Sequence, residues 1–401
     1  MNDWLLPQNI QDILPPESHV LEKWRRSLLD LYMSYGYQLV IPPMQEFQNS
    51  LAMAGRDLDT RMYKVVDRKS GKTIGLRPDI TPQVARIDAH IYQGKGISRL
   101  CYCDRVLHSY PVHQFASREP INIGAEIYGI ADLTADAESL ILLNNSFKTL
   151  NIVNHNLEIH HMGLIREILV YINQKKKQPI SEEDWLATLK IKSKKQIKLL
   201  LKECSINLQK KVLALLDLYG DENVIAQAKK ILPKTKKINQ YLQDLTKIFK
   251  LCKAEDANMN LTIDLADARG YKYHSGLMFA VYAPNWANAL AYGGRYDGFG
   301  DRFGVNLKNR SAVGFTIDLF EAQLYASYQN SKDKNGSIIP KIFADQKIWQ
   351  NKQGQKYICQ LRVQGKAVIV GEAANSKNNE KANNCNYIII KSKNKYILKK
   401  I

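Results

Sequence analysis

The segment SAVGFTIDLFEA, Ser311 to Ala322, constrains the fold of this chain more than any other stretch. It reads as a buried Gly-Phe-x-Ile strand that enters a helix, and Gly314-Phe315 supplies the packing. Glu321 then falls about one turn into the helix, between Phe320 and Ala322. A carboxylate there repels an anionic ligand such as a nucleotide, so the segment keeps a packing role without an anion clamp.

With 401 residues and 45% hydrophobic content, the chain can bury a full core and hold two or three domains. The N-terminus MNDWLLPQNIQDILPPE has neither a basic start nor a long apolar run, so no signal peptide is expected. No run approaches about 18 consecutive apolar residues, so no membrane span is expected. Six scattered cysteines without a C-x-x-C pair suit a reduced cytoplasm.

The net charge of +18 raises nucleic acid as a partner, so its distribution matters. Residues 1–130 carry 15 Lys+Arg against 14 Asp+Glu, whereas residues 170–255 carry 19 against 9 and residues 331–401 carry 15 against 4. The excess is mostly lysine dispersed among Asn and Ile, as at Lys192, Lys194, Lys195 and Lys198. That favours a solvated face over a shaped groove for nucleic acid.

Val20, Trp24, Leu28 and Leu31 recur at helical spacing, and Gly36 can close that helix with φ > 0. Tyr37 to Ile41 reads as a strand stopped by Pro42-Pro43, which mark an edge, a bulge or an interface. A hairpin is expected around Ser70-Gly71, a helix over Ile80 to Ala89, and strands over Arg99 to Cys103 and Ile121 to Tyr128. Ala135 to Leu150 reads as a helix, Leu157 to His161 as a strand, and residues from about 163 to 255 as a polar helical insertion. Strands return at Leu261 to Leu265, Leu277 to Tyr282 and Ala312 to Ile317. Strands at both ends with helices between argue for an α+β core over residues 1–330 with a largely antiparallel sheet. After a linker, residues 331–401 read as a small α/β domain, with strands at Ile338-Ile339, Ala367 to Val370, Tyr387 to Ile390 and Tyr396 to Leu398, and a helix from Ala344 to Arg362.

Three motifs can carry chemistry. In GLRPDITPQVAR (Gly75 to Arg86), Asp79 and Thr81 sit at a helix N-terminus, where capping alone explains both. In INIGAEIYG, alternation places Asn122, Gly124 and Glu126 on one strand face. An amide, a gap and a carboxylate there suit a small cationic or zwitterionic ligand, or else a wet face of an edge strand. In ARGYKYHSG (Ala268 to Gly276), Arg269 can fork to a carboxylate, with Tyr273 and His274 as a polar rim. AYGGRYDGFG (Ala291 to Gly300) follows, and no Walker loop occurs. Cys101 and Cys103 with His108 and His113 lack zinc-like spacing, so no metal is expected, and His160-His161 reads as a strand end.

In order, these motifs resemble histidyl-tRNA synthetases over roughly residues 6–325, and still more the synthetase-like regulatory subunits of bacterial ATP phosphoribosyltransferase. The resemblance implies a class II aminoacyl-tRNA synthetase-like core. It places Asp79, Thr81 and Asn122 where a synthetase holds the ligand's ammonium, Glu126 where it meets imidazole, and Arg269 near the carboxylate. Arg105, Tyr273 and His274 complete the histidine-binding set so implied.

The departures fall on the nucleotide side. Arg105 is kept, but Leu107 stands for a glutamate, Pro120 for an adenine-stacking phenylalanine, and Glu321 for the triphosphate-gripping arginine. A charge pair at ~4 Å is worth about 4 kcal/mol at an effective dielectric of 20, so reversing its sign weakens ATP binding by several kcal/mol. The resemblance therefore implies a non-catalytic cytoplasmic subunit without cofactor. It would dimerise through the Pro42-Pro43 region, assemble with a short catalytic ATP phosphoribosyltransferase subunit and respond to histidine. An active histidyl-tRNA synthetase and a free-standing histidine- or RNA-binding module are the alternatives.

Overall fold

The computed structural model describes residues 4–52, 55–268, 274–304, 309–330, 341–371, 385–392 and 395–400. The chain divides into two compact units, Met1–Tyr328 and Gln329–Ile401.

In the first unit, nine strands among the described residues form one sheet in the order β1-β5-β6-β12-β11-β10-β7-β9-β8. Chain order names them β1 (Gln38–Leu39), β5 (Ser98–Arg105), β6 (Ile121–Tyr128), β7 (Asn156–His161), β8 (Tyr219–Gly220), β9 (Leu261–Asp264), β10 (Leu277–Tyr282), β11 (Ala291–Arg295) and β12 (Ala312–Asp318). The sheet is antiparallel except where β1 joins β5 and β7 joins β9. Three further strands, β2 (Gln45–Phe47), β3 (Tyr63–Val66) and β4 (Thr73–Leu76), form a separate small sheet, with the expected hairpin between β3 and β4.

Alternation along β5, β6 and β12 gives the main sheet two unlike faces. Cys101, Ile123, Ala125, Ile127, Val313, Phe315 and Ile317 point to a large apolar core shared with the helices Glu17–Ser34, Leu133–Thr149, Met162–Asn173 and Lys236–Glu255. The helix Glu17–Ser34 docks there through Leu21, Trp24, Leu28 and Tyr32, with Val20 and Leu31 partly buried beside them. Gly36 follows it at φ 84°, a left-handed geometry that a side chain would strain. On the opposite face, Leu100, Tyr102 and Tyr128 pack with Ile80, Val84, Tyr296 and Phe299 in a smaller cluster, and this face carries the site.

Between Met162 and Glu255 the regular elements described are helices joined by short loops, apart from the two-residue β8. Four of its helices start at Ser or Thr side chains that accept a backbone N–H (Ser181, Ser193, Ser205 and Thr235), which is why the polar sequence still defines their ends.

The second unit holds a sheet in the order β14-β13-β15-β16, formed by β13 (Lys341–Asp345), β14 (Ala367–Gly371), β15 (Tyr387–Ser392) and β16 (Lys395–Lys400). The helix expected from Ala344 to Arg362 is two helices, Gln346–Gln350 and Lys352–Val363. Asn351 breaks it, since its extended backbone ends the first and its side chain caps Gln353 and Gly354 of the second. Ala344 belongs instead to β13 and is fully buried in this unit's core. Residues 338 and 339, expected as a strand, lie outside the described residues.

Candidate functional site: a buried acid in a hydroxyl shell

The register of three strands builds the site. Glu126 on β6 stands opposite Leu100 of β5 and Gly314 of β12, while Gly124 stands opposite Tyr102 and Thr316. Glu126 is 1% exposed. It accepts hydrogen bonds from the Tyr296 hydroxyl at 2.6 Å, Thr81 Oγ1 at 3.0 Å and the Tyr102 hydroxyl at 3.3 Å. Tyr102 also meets Thr316 Oγ1 at 2.6 Å, and Tyr296 lies 3.1 Å from the Tyr128 hydroxyl. Burial pushes the Glu126 carboxyl up to about 8, against the pull of the Tyr296 and Thr81 hydrogen bonds. A Cβ at position 314 would sit 1.7 Å from Glu126 Oε2, so the acid occupies space that only glycine leaves open.

Asp79 and Thr81 reach this face from the start of the helix Thr81–His90. Asp79 Oδ1 accepts the Thr81 backbone N–H at 3.1 Å, from one residue ahead of the cap position, which Ile80 holds. Thr81 does not cap, because its hydroxyl turns to Glu126. Burial raises the Asp79 carboxyl above its usual range.

Arg77, fully buried two residues earlier, fixes this turn to the sheet. It donates to the Arg105 carbonyl at 2.9 Å and the Pro42 carbonyl at 2.7 Å, and pairs with Asp104 at 2.7 Å. Gln83 donates to the Pro43 carbonyl at 2.7 Å. The Pro42-Pro43 segment is thus held from within by side chains of the motif that also bears Asp79 and Thr81.

The other residues of the expected set are placed as follows. Asn122 is half-buried on the Glu126 face, opposite Asp104 and Asp318. His274 is buried, its ring edge-on to Tyr296 with centroids 6.5 Å apart, and its carbonyl accepts from Arg166. Arg105 is not brought to Glu126; its exposed guanidinium pairs with Glu119 at 3.3 Å. Arg269 and Tyr273 lie outside the described residues. Sequence reasoning passed over Tyr102 and Tyr296. Tyr102 could have been found as the β5 residue that alternates toward the Asn122 face, and Tyr296 as the aromatic after Gly293-Gly294-Arg295. Arg295 turns the other way and pairs with the buried Asp136, which locks β11 to the helix Leu133–Thr149.

Past the end of β12, Glu321 on the helix Leu319–Asn330 is buried rather than projecting into solvent. Its Oε1 accepts the Trp286 indole N–H at 2.8 Å and the Asn288 amide at 2.9 Å, and Oε2 lies 3.9 Å from His113 Nε2. Asp318 takes the backbone N–H groups of Phe320 and Glu321, and burial lifts it to about 7. Pro120 is buried and its carbonyl receives the Val106 N–H. This end therefore carries two acids, Asp318 and Glu321, with the Trp286 indole held on Glu321.

Cys101 and Cys103 lie on the helix-packed side, where burial pushes their thiols up to about 11 and about 12. His108 instead binds the Pro78 carbonyl at 3.0 Å. Among the described residues no group of three or more His, Cys, Asp or Glu could hold a metal ion, and no helix is long and apolar enough to cross a membrane.

The family model described as histidyl-tRNA synthetase matches residues 9–322. A protein of Cupriavidus metallidurans named ATP phosphoribosyltransferase regulatory subunit is 43% identical over 321 residues, covering 80% of this chain and 81% of its own. One of the same name from Methylobacillus flagellatus is 38% identical over 370 residues, covering 92% and 91%. Among solved structures, an ATP phosphoribosyltransferase regulatory subunit/histidyl-tRNA synthetase from Bacillus halodurans superposes with a TM-score of 0.79 at 22% identity, covering 96% of this chain and 97% of that one. The histidyl-tRNA synthetase of Nostoc sp. PCC 7120 gives 0.76 at 17% identity, covering 99% and 97%. Those two likenesses establish the shared class II synthetase-like α+β fold, while the relatives of higher identity fix the branch. The chain belongs to the histidyl-tRNA synthetase-like family of ATP phosphoribosyltransferase regulatory subunits.

Proposed function

We propose that this chain is a non-catalytic subunit that activates a separate short ATP phosphoribosyltransferase in histidine biosynthesis and carries histidine feedback to it. The observation that supports this most is the contrast between the middle of β6 and the turn that follows β12. Glu126 is held in a shell suited to an amino-acid side chain, whereas the nucleotide end presents Asp318 and Glu321. A pocket that binds an amino acid without ATP reports its concentration and does not activate it.

In this reading Glu126 meets the imidazole, Asp79, Thr81 and Asn122 take the ammonium, and Arg269 takes the carboxylate, with Arg105, Tyr273 and His274 at the rim. Two copies associate through the Pro42-Pro43 region. The chain acts in the cytoplasm with no cofactor and no nucleic acid, as residues 1–330 forming the synthetase-like core and 331–401 a small α/β domain. Feedback requires that histidine bind two states of the assembly unequally, typically by about 1–3 kcal/mol.

The test is to add the purified chain to a short catalytic subunit and measure phosphoribosyl transfer from phosphoribosyl pyrophosphate to ATP, with and without histidine. Stimulation that histidine reverses is expected. No stimulation, or formation of histidyl-tRNA by the chain alone, overturns the proposal. Arg269→Ala and Glu126→Gln each lower histidine sensitivity; unchanged sensitivity in both places the sensor elsewhere.

A further inference from the structure

We propose that Glu126 carries its own proton in the ligand-free protein and hands it to the imidazole ring of the bound amino acid, so that occupancy creates an imidazolium–carboxylate pair on the sheet face. The proposal rests on the histidine-sensing reading above and adds the proton inventory of that site.

The composition of the shell argues for it. Among the described residues, every side-chain donor to Glu126 is a hydroxyl: Tyr296, Thr81 and Tyr102. Among the described residues, no lysine, arginine or histidine forms an ion pair or hydrogen bond with this carboxyl. The groups that face it are Asp79 from the turn before the helix Thr81–His90, Tyr102 from β5, Tyr128 from β6, Thr316 from β12 and Tyr296 after β11. Arg310, which acts on Tyr128, is committed to Asp88 at 2.6 Å. Asp79, a second acid, disfavours a charge on Glu126 further. A buried carboxylate with no cation and an acidic neighbour is costly, and a proton removes that cost.

The same hydroxyls make the hand-over feasible. A guanidinium can only donate, which would fix the carboxylate form. A phenol or threonine hydroxyl both donates and accepts, so rotation satisfies either form of Glu126. The run Tyr128, Tyr296, Glu126, Tyr102, Thr316 with Thr81 at its side is such a chain throughout.

The step balances. The O–H bond of the Glu126 carboxylic acid breaks, and an N–H bond forms at the ring nitrogen that carried the lone pair. A neutral acid and a neutral imidazole become a carboxylate and an imidazolium, with no proton exchanged with solvent. Histidine affinity is then flat between the ring's own pKa of about 6.5 and the Glu126 value of about 8, and declines on both sides. A ring of the same shape but little basicity, as in triazolylalanine, cannot accept the proton and binds at least about tenfold more weakly.

The test is infrared difference spectroscopy on the full-length chain with and without L-histidine, beside calorimetric binding. The free protein is expected to show a protonated-carboxyl C=O band that is missing from E126Q and that histidine abolishes. Y296F keeps the carboxyl but removes a donor, so it shifts the same band and assigns it even where E126Q folds poorly. No band sensitive to these variants in the free protein, or a band that survives saturation with histidine, overturns the proposal. If calorimetry detects no histidine binding, both readings fall; binding with the band unchanged overturns the hand-over alone.

Discussion

The Trp286 indole N–H lies 2.8 Å from Glu321 Oε1, and the Asn288 amide shares the same oxygen. Glu321 therefore does more than place a negative charge after β12. It organises the loop between β10 and β11, and Trp286 stacks its edge on Tyr325 with centroids 5.8 Å apart. Glu321→Ala leaves a partly buried indole N–H and an amide without their acceptor, at a cost of about 1–3 kcal/mol. Urea denaturation of the two proteins measures it. Glu321→Gln keeps one oxygen acceptor and should lose less.

Gly314→Ala forces a methyl group into the Glu126 carboxyl. Overpacking of this kind costs about 1–3 kcal/mol. Glu126→Ala in the same chain opens the space and should recover part of that loss. A double-mutant cycle by denaturant unfolding reads the coupling, and strict additivity would contradict the contact.

Stability should respond to pH through Glu126. Its folded value of about 8 lies above the ordinary 4.5, so the folded state binds the proton more tightly. The contribution is complete below about pH 4.5 and is lost as pH rises to about 8, at up to about 1.4 kcal/mol per unit. Asp318, raised to about 7, acts in the same direction. Unfolding free energies of the native chain and Glu126→Gln across this window isolate the Glu126 share: the native chain should lose more stability than the variant as pH increases.

Arg77→Met removes a fully buried cation that serves the Pro42 carbonyl, the Arg105 carbonyl and Asp104 at once. Asp104 is 38% exposed and stays solvated, so the loss falls mainly on the carbonyls left without a donor, at about 1–3 kcal/mol each. If Pro42-Pro43 forms the dimer contact, the variant should also dissociate at higher concentration than the native chain, as light scattering would report.

Local pattern made much of the sheet legible. Asn122, Gly124 and Glu126 alternate with Ile123, Ala125 and Ile127, and the structure separates them onto the two faces as that period requires. The bond from the Thr81 N–H to Asp79 was equally readable, because it spans only two residues, although Ile80 and not Asp79 is the cap residue of that helix. The shell around Glu126 was not. Thr81, Tyr102 and Tyr296 converge on it from 45, 24 and 170 residues away, and no window of sequence contains that meeting. Arg105 shows the converse: its motif was visible, but a neighbouring glutamate, Glu119, takes its side chain. In the second unit, helical periodicity ran through Asn351 because that residue's capping role depends on backbone geometry rather than polarity.

The floor of the site has one more consequence. Glu126 sits mid-sheet, on a strand hydrogen-bonded along both edges and sealed beneath by Ile123, Ala125 and Ile127. Such backbone opens only when the whole fold opens, so its amides should exchange hydrogen at the global rate. A floor this stiff cannot announce its occupant by bending. News of a bound ligand has to leave through the walls, by way of the segments that carry Thr81, His274 and His113, and those are the places to look for slow motion that an effector quenches.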